Sequence, residues 1–136
     1  MTYISAELRR LVRTRARDNC EYCLVNQADR YLDHEIDHII AEKHGGETVA
    51  ENLCLACYHC NRHKGADLGS IDPQTRALTP LFNPRRDIWA EHFQLNGAVI
   101  EPLTPQGRVT VFLLHLNDPD RLEERATLIR LKRYPG

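Results

Sequence analysis

Along residues 4–17, ISAELRRLVRTRAR, apolar positions recur at helical spacing, with Ile4, Leu8, Leu11 and Val12 on one face and Arg9, Arg10, Arg13 and Arg17 opposite. Ser5 or Thr2 supplies an N-cap. Arg15 falls inside the apolar arc, so either the helix frays there or the side chain snorkels outward. From residue 31 to 56 the pattern changes to two short strands, residues 35–40 and 51–55, joined by a turn at Gly45-Gly46. A short helix follows over 61–68, with Asn61 as its capping residue.

Beyond Gly69, SIDPQTRALTPLFNPRR has no period and reads as an ordered wrapping loop or linker. HFQLNGAVIEPL reads as a hairpin turning at Asn96-Gly97. Thr104-Pro105 and Asp118-Pro119 each set a cap residue before a proline, predicting helices over 105–116 and 119–132. In the second, Leu122, Ala126 and Ile129 form the apolar stripe, and Arg130, Lys132 and Arg133 complement its C-terminal dipole. These elements predict an α+β chain, with a core at 1–70 and an extension at 71–136 packed on it.

The chain has 136 residues, 42% apolar and 27% charged, within the range of one globular domain. No stretch reaches the roughly 18 apolar residues of a membrane span, and the N-terminus has no apolar core behind its first charges. The expectation is a soluble, cytoplasmic protein. With a formal net charge of −1, any affinity for phosphate backbones must come from local clusters of basic residues.

Five cysteines are many for this length, and four form two matched pairs, Cys20-x-x-Cys23 and Cys57-x-x-Cys60. Four thiolates complete a tetrahedral structural zinc site, and in a reducing compartment paired Cys-x-x-Cys favours a metal over a disulfide framework. Residues 24–56 then form a folded insertion closed at its base by zinc. Cys54 is left as a small buried hydrophobe. His59, inside the second pair, points to solvent or replaces a sulfur.

Within the insertion, Asp33-His34-Glu35-Ile36-Asp37-His38 concentrates carboxylates and imidazoles. Strand geometry sends Asp37 and His38 to opposite faces. That separation suits a carboxylate that binds a hard cation and an imidazole free to accept a proton.

Extended, the pattern runs Cys-x-x-Cys, Ile36-Asp37-His38-Ile39, Gly45-Gly46, Glu51-Asn52-Leu53, Cys57-x-x-Cys60-Asn61-x-x-Lys64. Over residues of about 17 to 68 this resembles the zinc-knuckle subgroup of the HNH endonuclease family. The stretches LFNPRRDIWAEHF and LTPQGRVTVFLLHLN look like the C-terminal extension of some bacterial members. The resemblance implies a ββα-metal (His-Me finger) core, in which His38 matches the general base and Asp37 the metal-binding carboxylate. Asn52 matches the middle position, whose amide braces the hairpin, and Asn61 the last position, the second protein ligand to the cation. Asparagine there replaces the literal histidine, and an all-oxygen site favours Mg²⁺ or Mn²⁺.

His63 lies about 200° round a helix from Asn61, so it ranks behind it, as a phosphate contact. Arg62, Lys64, Arg9 and Arg13, with Arg10 and Arg17, are the other candidates for holding a nucleic-acid backbone. The function implied is metal-dependent hydrolysis of phosphodiester bonds, with DNA the first-ranked substrate. A zinc-knuckle module that binds nucleic acid or protein without turnover is the alternative, and a purely structural zinc protein a third.

Overall fold

A computed structural model describes residues 2–136. The first helix, α1 (Ala6–Ala16), starts where the Ser5 hydroxyl accepts the Leu8 amide at 3.1 Å and ends at Arg17 in the left-handed region. It packs on an antiparallel pair, β1 (Glu35–His38) and β2 (Leu53–Ala56), in register Asp37↔Cys54 and His38↔Leu53.

Directly opposed residues share a face, so this small sheet has two different sides. Ile36, Leu53 and Leu55 pack with Ile4, Leu8, Val12 and Ala16 of the N-terminal segment. Val12, Leu53 and Leu55 are fully buried, each stabilising the fold by about 1.5–3 kcal/mol relative to exposure. On the other side, Cys54 and Ala56 join a larger cluster containing the four paired cysteines together with Phe82, Phe93, Ile100, Leu114, Leu116 and Leu128. One side of the sheet therefore belongs to α1 and the other to the cysteine knuckles and the second half of the chain.

Helix α2 (Tyr58–Lys64) follows β2 directly. It begins three residues before the expected start because Cys57, and not Asn61, is the cap: its Sγ accepts the Cys60 amide at 3.4 Å. The supposed linker after Gly69 contains an antiparallel pair, β3 (Gly69–Ile71) and β4 (Leu78–Pro80). The Asp72 carboxylate ties its turn to the rest, accepting the Thr75 amide at 3.1 Å and both Nε and Nη2 of Arg108, at 2.8 and 2.9 Å.

After a helical turn, α3 (Trp89–His92), come the hairpin β5 (Phe93–Asn96) and β6 (Val99–Pro102), then α4 (Pro105–Leu113) and α5 (Pro119–Arg130). The hairpin loop is Gly97-Ala98, one residue later than expected. Thr104 caps α4 through the Gly107 amide at 3.0 Å.

Two expected faces need correction. The buried residues of α5 are Arg121, Arg125 and Leu128, whereas Ile129 is exposed. The arginines face inward because unpaired carbonyls await them: Arg125 donates to Ala98 O and Leu116 O, each at 2.7 Å. On α1, Leu11 is exposed, and Arg15 neither frays nor snorkels to solvent. Its guanidinium turns onto the carbonyls of Ala50, at 2.7 Å, and Leu53, fastening the helix to the start of β2. Among the described residues no helix is long and apolar enough to cross a membrane.

Candidate active site

The knuckles come first, because they hold β2 and α2 in place. Cys20, Cys23, Cys57 and Cys60 are buried, and their sulfurs lie within 4.8 Å of one another. The Cys23 and Cys57 sulfurs are 3.8 Å apart, matching the edge of about 3.8 Å of a tetrahedron with zinc–sulfur bonds of about 2.3 Å. All are free thiols. The amides of Cys23 and Cys60 point at the sulfurs three residues back, at 3.5 and 3.4 Å. Hydrogen bonds from the other three cysteines, aided by Arg121, hold the Cys57 thiol far below its ordinary range, whereas burial pushes the Cys20 and Cys60 thiols up. The cluster has the donor set and dimensions of a structural zinc site. His59 is half-buried against Tyr58 and lies outside it.

β1 presents Asp37 and His38 on opposite faces. Asp37 faces α2, where Lys64 Nζ stands 3.0 Å from its Oδ2 and also donates to His38 O at 3.0 Å. Oδ2 is buried and, among the described residues, lacks a well-aligned hydrogen-bond donor. Burial pushes the Asp37 carboxyl above the ordinary range although Lys64 pulls the other way. One turn earlier on α2, Asn61 donates its amide to Glu35. The seam between β1 and α2 thus carries two carboxylates, one amide oxygen and one ammonium. A buried carboxylate and a side-chain amide on the same seam are oxygen donors of the kind a hard divalent cation takes, while the Lys64 ammonium balances the Asp37 charge in this structure.

On the other face, His38 Nε2 lies 2.9 Å from Thr48 Oγ1 and 3.5 Å from Glu42 Oε1. Nδ1 has no hydrogen bond among the described residues, and the side chain is partly exposed. A cleft of about 280 Å³, lined by Ile4, Ile36, Asp37, His38 and Glu42 among others, opens here. Thr2, then His38 and Thr48, hold the Glu42 carboxyl below its ordinary range.

Asn52 fastens the loop over the site. Its Oδ1 accepts the Ile40 amide at 2.9 Å, and its Nδ2 donates to Ile40 O at 3.0 Å and Glu47 O at 2.9 Å. Gly46 lies underneath: a Cβ there would fall 1.7 Å from Ile40 O and 2.9 Å from Asn52 Nδ2.

The basic candidates are dispersed. Arg9 and Arg13 are bound to the carbonyls of Ile4 and His34, each at 3.1 Å, whereas Arg62 is exposed and packs on Tyr58. His63 is exposed and stacks on His115 with ring centroids 4.2 Å apart. Lys64 is only 2% exposed and committed to Asp37. Sequence reasoning had not singled out Thr48, Glu42 or Arg121, although Glu42 stands four residues after His38.

Residues 20–67 match the family model for HNH endonuclease, and the chain carries an HNH domain there. The chain is also similar to the Septu protein PtuB of Bacillus thuringiensis, 26% identical over 121 residues, an alignment covering 86% of this chain and 44% of that protein. It therefore spans less than half the length of this relative. No solved structure matches it significantly.

Proposed function

We propose that the chain is a metal-dependent endonuclease that hydrolyses phosphodiester bonds in DNA through one Mg²⁺- or Mn²⁺-type site, working in the cytoplasm. The observation that carries this is the split at the end of β1: a buried carboxylate paired with Lys64 on one face, a partly exposed imidazole lining a cleft on the other, both within an HNH domain. Neutral His38 takes a proton from water on Nδ1. The water oxygen bonds to phosphorus as the bond to the 3′ oxygen breaks, leaving a 5′ phosphate and a 3′ hydroxyl, which takes a proton from solvent. Asp37 and Asn61 would hold the divalent cation, which when bound stabilises charge on the phosphate and the leaving oxygen. Asn52 keeps the loop above His38 in place. Cys20, Cys23, Cys57 and Cys60 hold the structural zinc, and residues 71–136 form an extension that closes its far side. Arg62 and His63 are the exposed groups placed to meet a phosphate backbone.

The test is cleavage of supercoiled DNA by the zinc-loaded protein in EDTA, Mg²⁺, Mn²⁺ or Zn²⁺. Nicking with Mg²⁺ or Mn²⁺, absent in EDTA and absent for a folded His38→Ala variant of unchanged zinc content, is expected. Undiminished cleavage by that variant removes His38 as the base. A binding module without turnover is favoured by one observation, the Lys64 ammonium already beside Asp37. Binding of DNA with no cleavage under any metal would select it.

A further inference from the structure

The Nε2 side of His38 is more elaborate than a base needs merely to stay in place. Nε2 faces the Thr48 hydroxyl at 2.9 Å, with the Glu42 carboxylate 3.5 Å from the same nitrogen. Glu42 projects from the short turn Glu42–His44, and Thr48 comes from the same loop beyond Gly46. Asn52 anchors that loop at Ile40 and Glu47, next to Thr48. Both partners of Nε2 therefore stand on a segment whose two ends are fixed by one side chain.

The tautomer follows from counting hydrogens. A threonine hydroxyl has one hydrogen and can also accept, whereas an ionised carboxylate only accepts. The Glu42 carboxylate stands 3.5 Å from Nε2 and can only accept. A bare lone pair on Nε2 would face that carboxylate, whereas a hydrogen there is accepted by the Thr48 hydroxyl and attracted by Glu42, so Nε2 is the protonated nitrogen. The Nδ1 lone pair is left free, on a side chain that lines the cleft.

We propose that Thr48 and Glu42 are positioning residues of the nuclease site: the Thr48 hydroxyl and the Glu42 carboxylate, both facing Nε2–H, fix His38 in the tautomer whose Nδ1 takes the proton from water. This rests on His38 being the base. No bond to Thr48 or Glu42 forms or breaks. The proton from water ends on Nδ1, and the imidazolium so formed has the carboxylate beside its other nitrogen. Charge then develops in the transition state next to a group of opposite sign that is already oriented.

The experiment uses the full-length, zinc-loaded protein with ¹⁵N-labelled histidine, recording ring-nitrogen correlations at pH 8, where an ordinary histidine is neutral. The His38 signals are assigned by their absence in His38→Ala. The parent should show protonated Nε2 and bare Nδ1. Thr48→Val, which keeps the shape and loses the hydroxyl, should give mixed tautomers and lower kcat for plasmid nicking about tenfold or more with KM unchanged. Glu42→Gln should act in the same direction. Thr48→Ser should restore both spectrum and rate, which a packing role for the methyl group would not allow. Protonated Nδ1 in the parent, or a parental spectrum and kcat in Thr48→Val, overturns the proposal. A parent that cleaves nothing yet shows the predicted tautomer, lost in Thr48→Val, supports the positioning of His38 by Thr48 and Glu42 and overturns only the nuclease assignment.

Discussion

Arg121 Nη2 lies 3.1 Å from the sulfur of Cys60, so α5 in the second half of the chain reaches the knuckle that starts α2. Its Nη1 donates to Leu114 O at 2.8 Å, and the side chain is buried at 3% exposure. Burial works against the charge, but Cys60, Cys23 and Cys57 outweigh it and raise the Arg121 pKa above its ordinary value. A tetrathiolate zinc site has a net negative charge, and this guanidinium is its neighbouring counter-charge.

Arg121→Leu should therefore leave charged sulfurs and a carbonyl without a buried partner, lowering stability by about 3–5 kcal/mol. Zinc affinity should fall about 10- to 100-fold, the usual effect of losing an outer partner of the ligands. Denaturant unfolding and the rate of zinc transfer to a chromogenic chelator measure the two. Arg121→Lys should lie between, keeping the charge and losing the fork that reaches sulfur and carbonyl together.

Asn52 makes three hydrogen bonds to the backbone of one loop. At about 0.5–1.5 kcal/mol each, Asn52→Ala should lower stability by about 2–4 kcal/mol, read from denaturant midpoints. Gly46→Ala should disturb the same loop for a different reason, since a Cβ collides with Ile40 O. Both variants should retain their zinc, because the knuckles lie at the other end of β2.

What could be read before the fold was known follows how local each signal is. Cys-x-x-Cys spacing and strand alternation are decided within a few residues, so the sulfur cluster and the divergence of Asp37 from His38 were legible. The start of α2 was not, because Cys57 caps the helix with sulfur while Asn61 offers the more familiar capping side chain four residues later. The β3–β4 pair has three residues per strand, and Leu78 is 78% exposed, so no alternating pattern marked it. Arg121 and Arg125 look like a solvated face until their acceptors are seen. Those acceptors, Cys60 sulfur and the carbonyls of Leu114, Leu116 and Ala98, come from separate elements and were invisible along the chain.

The bidentate pair of Asp72 with Arg108 sets a dependence on pH. Hydrogen bonds from Arg108, opposed by burial and helped by Thr75 and Gln74, hold the Asp72 carboxyl far below its ordinary range. A depressed folded-state pKa contributes stability above the unfolded value of about 3.9, and the contribution is lost as pH falls through the folded value. The stability gap between the parent and Asp72→Asn should therefore stay constant from pH 7 to about pH 5 and close in stronger acid. Urea unfolding across that range measures it. A gap widening towards acid would mean that the carboxylate is not the stabilising form.

Asp37→Ala should have two separable effects, since its carboxylate faces both the proposed cation and Lys64. Loss of an oxygen ligand should shift the Mg²⁺ or Mn²⁺ dependence of DNA nicking to higher concentration, with partial rescue at high metal. Superimposable titrations for variant and parent would remove Asp37 from the metal site. Separately, Lys64 is 2% exposed and would remain as a buried ammonium bound only to His38 O, costing about 3–5 kcal/mol. Lys64→Met in the Asp37→Ala background should recover much of that stability while leaving the metal dependence shifted. The double-mutant cycle thus isolates the ion pair from the ligand. A double variant no more stable than Asp37→Ala would show that the β1–α2 seam does not depend on charge balance at Lys64.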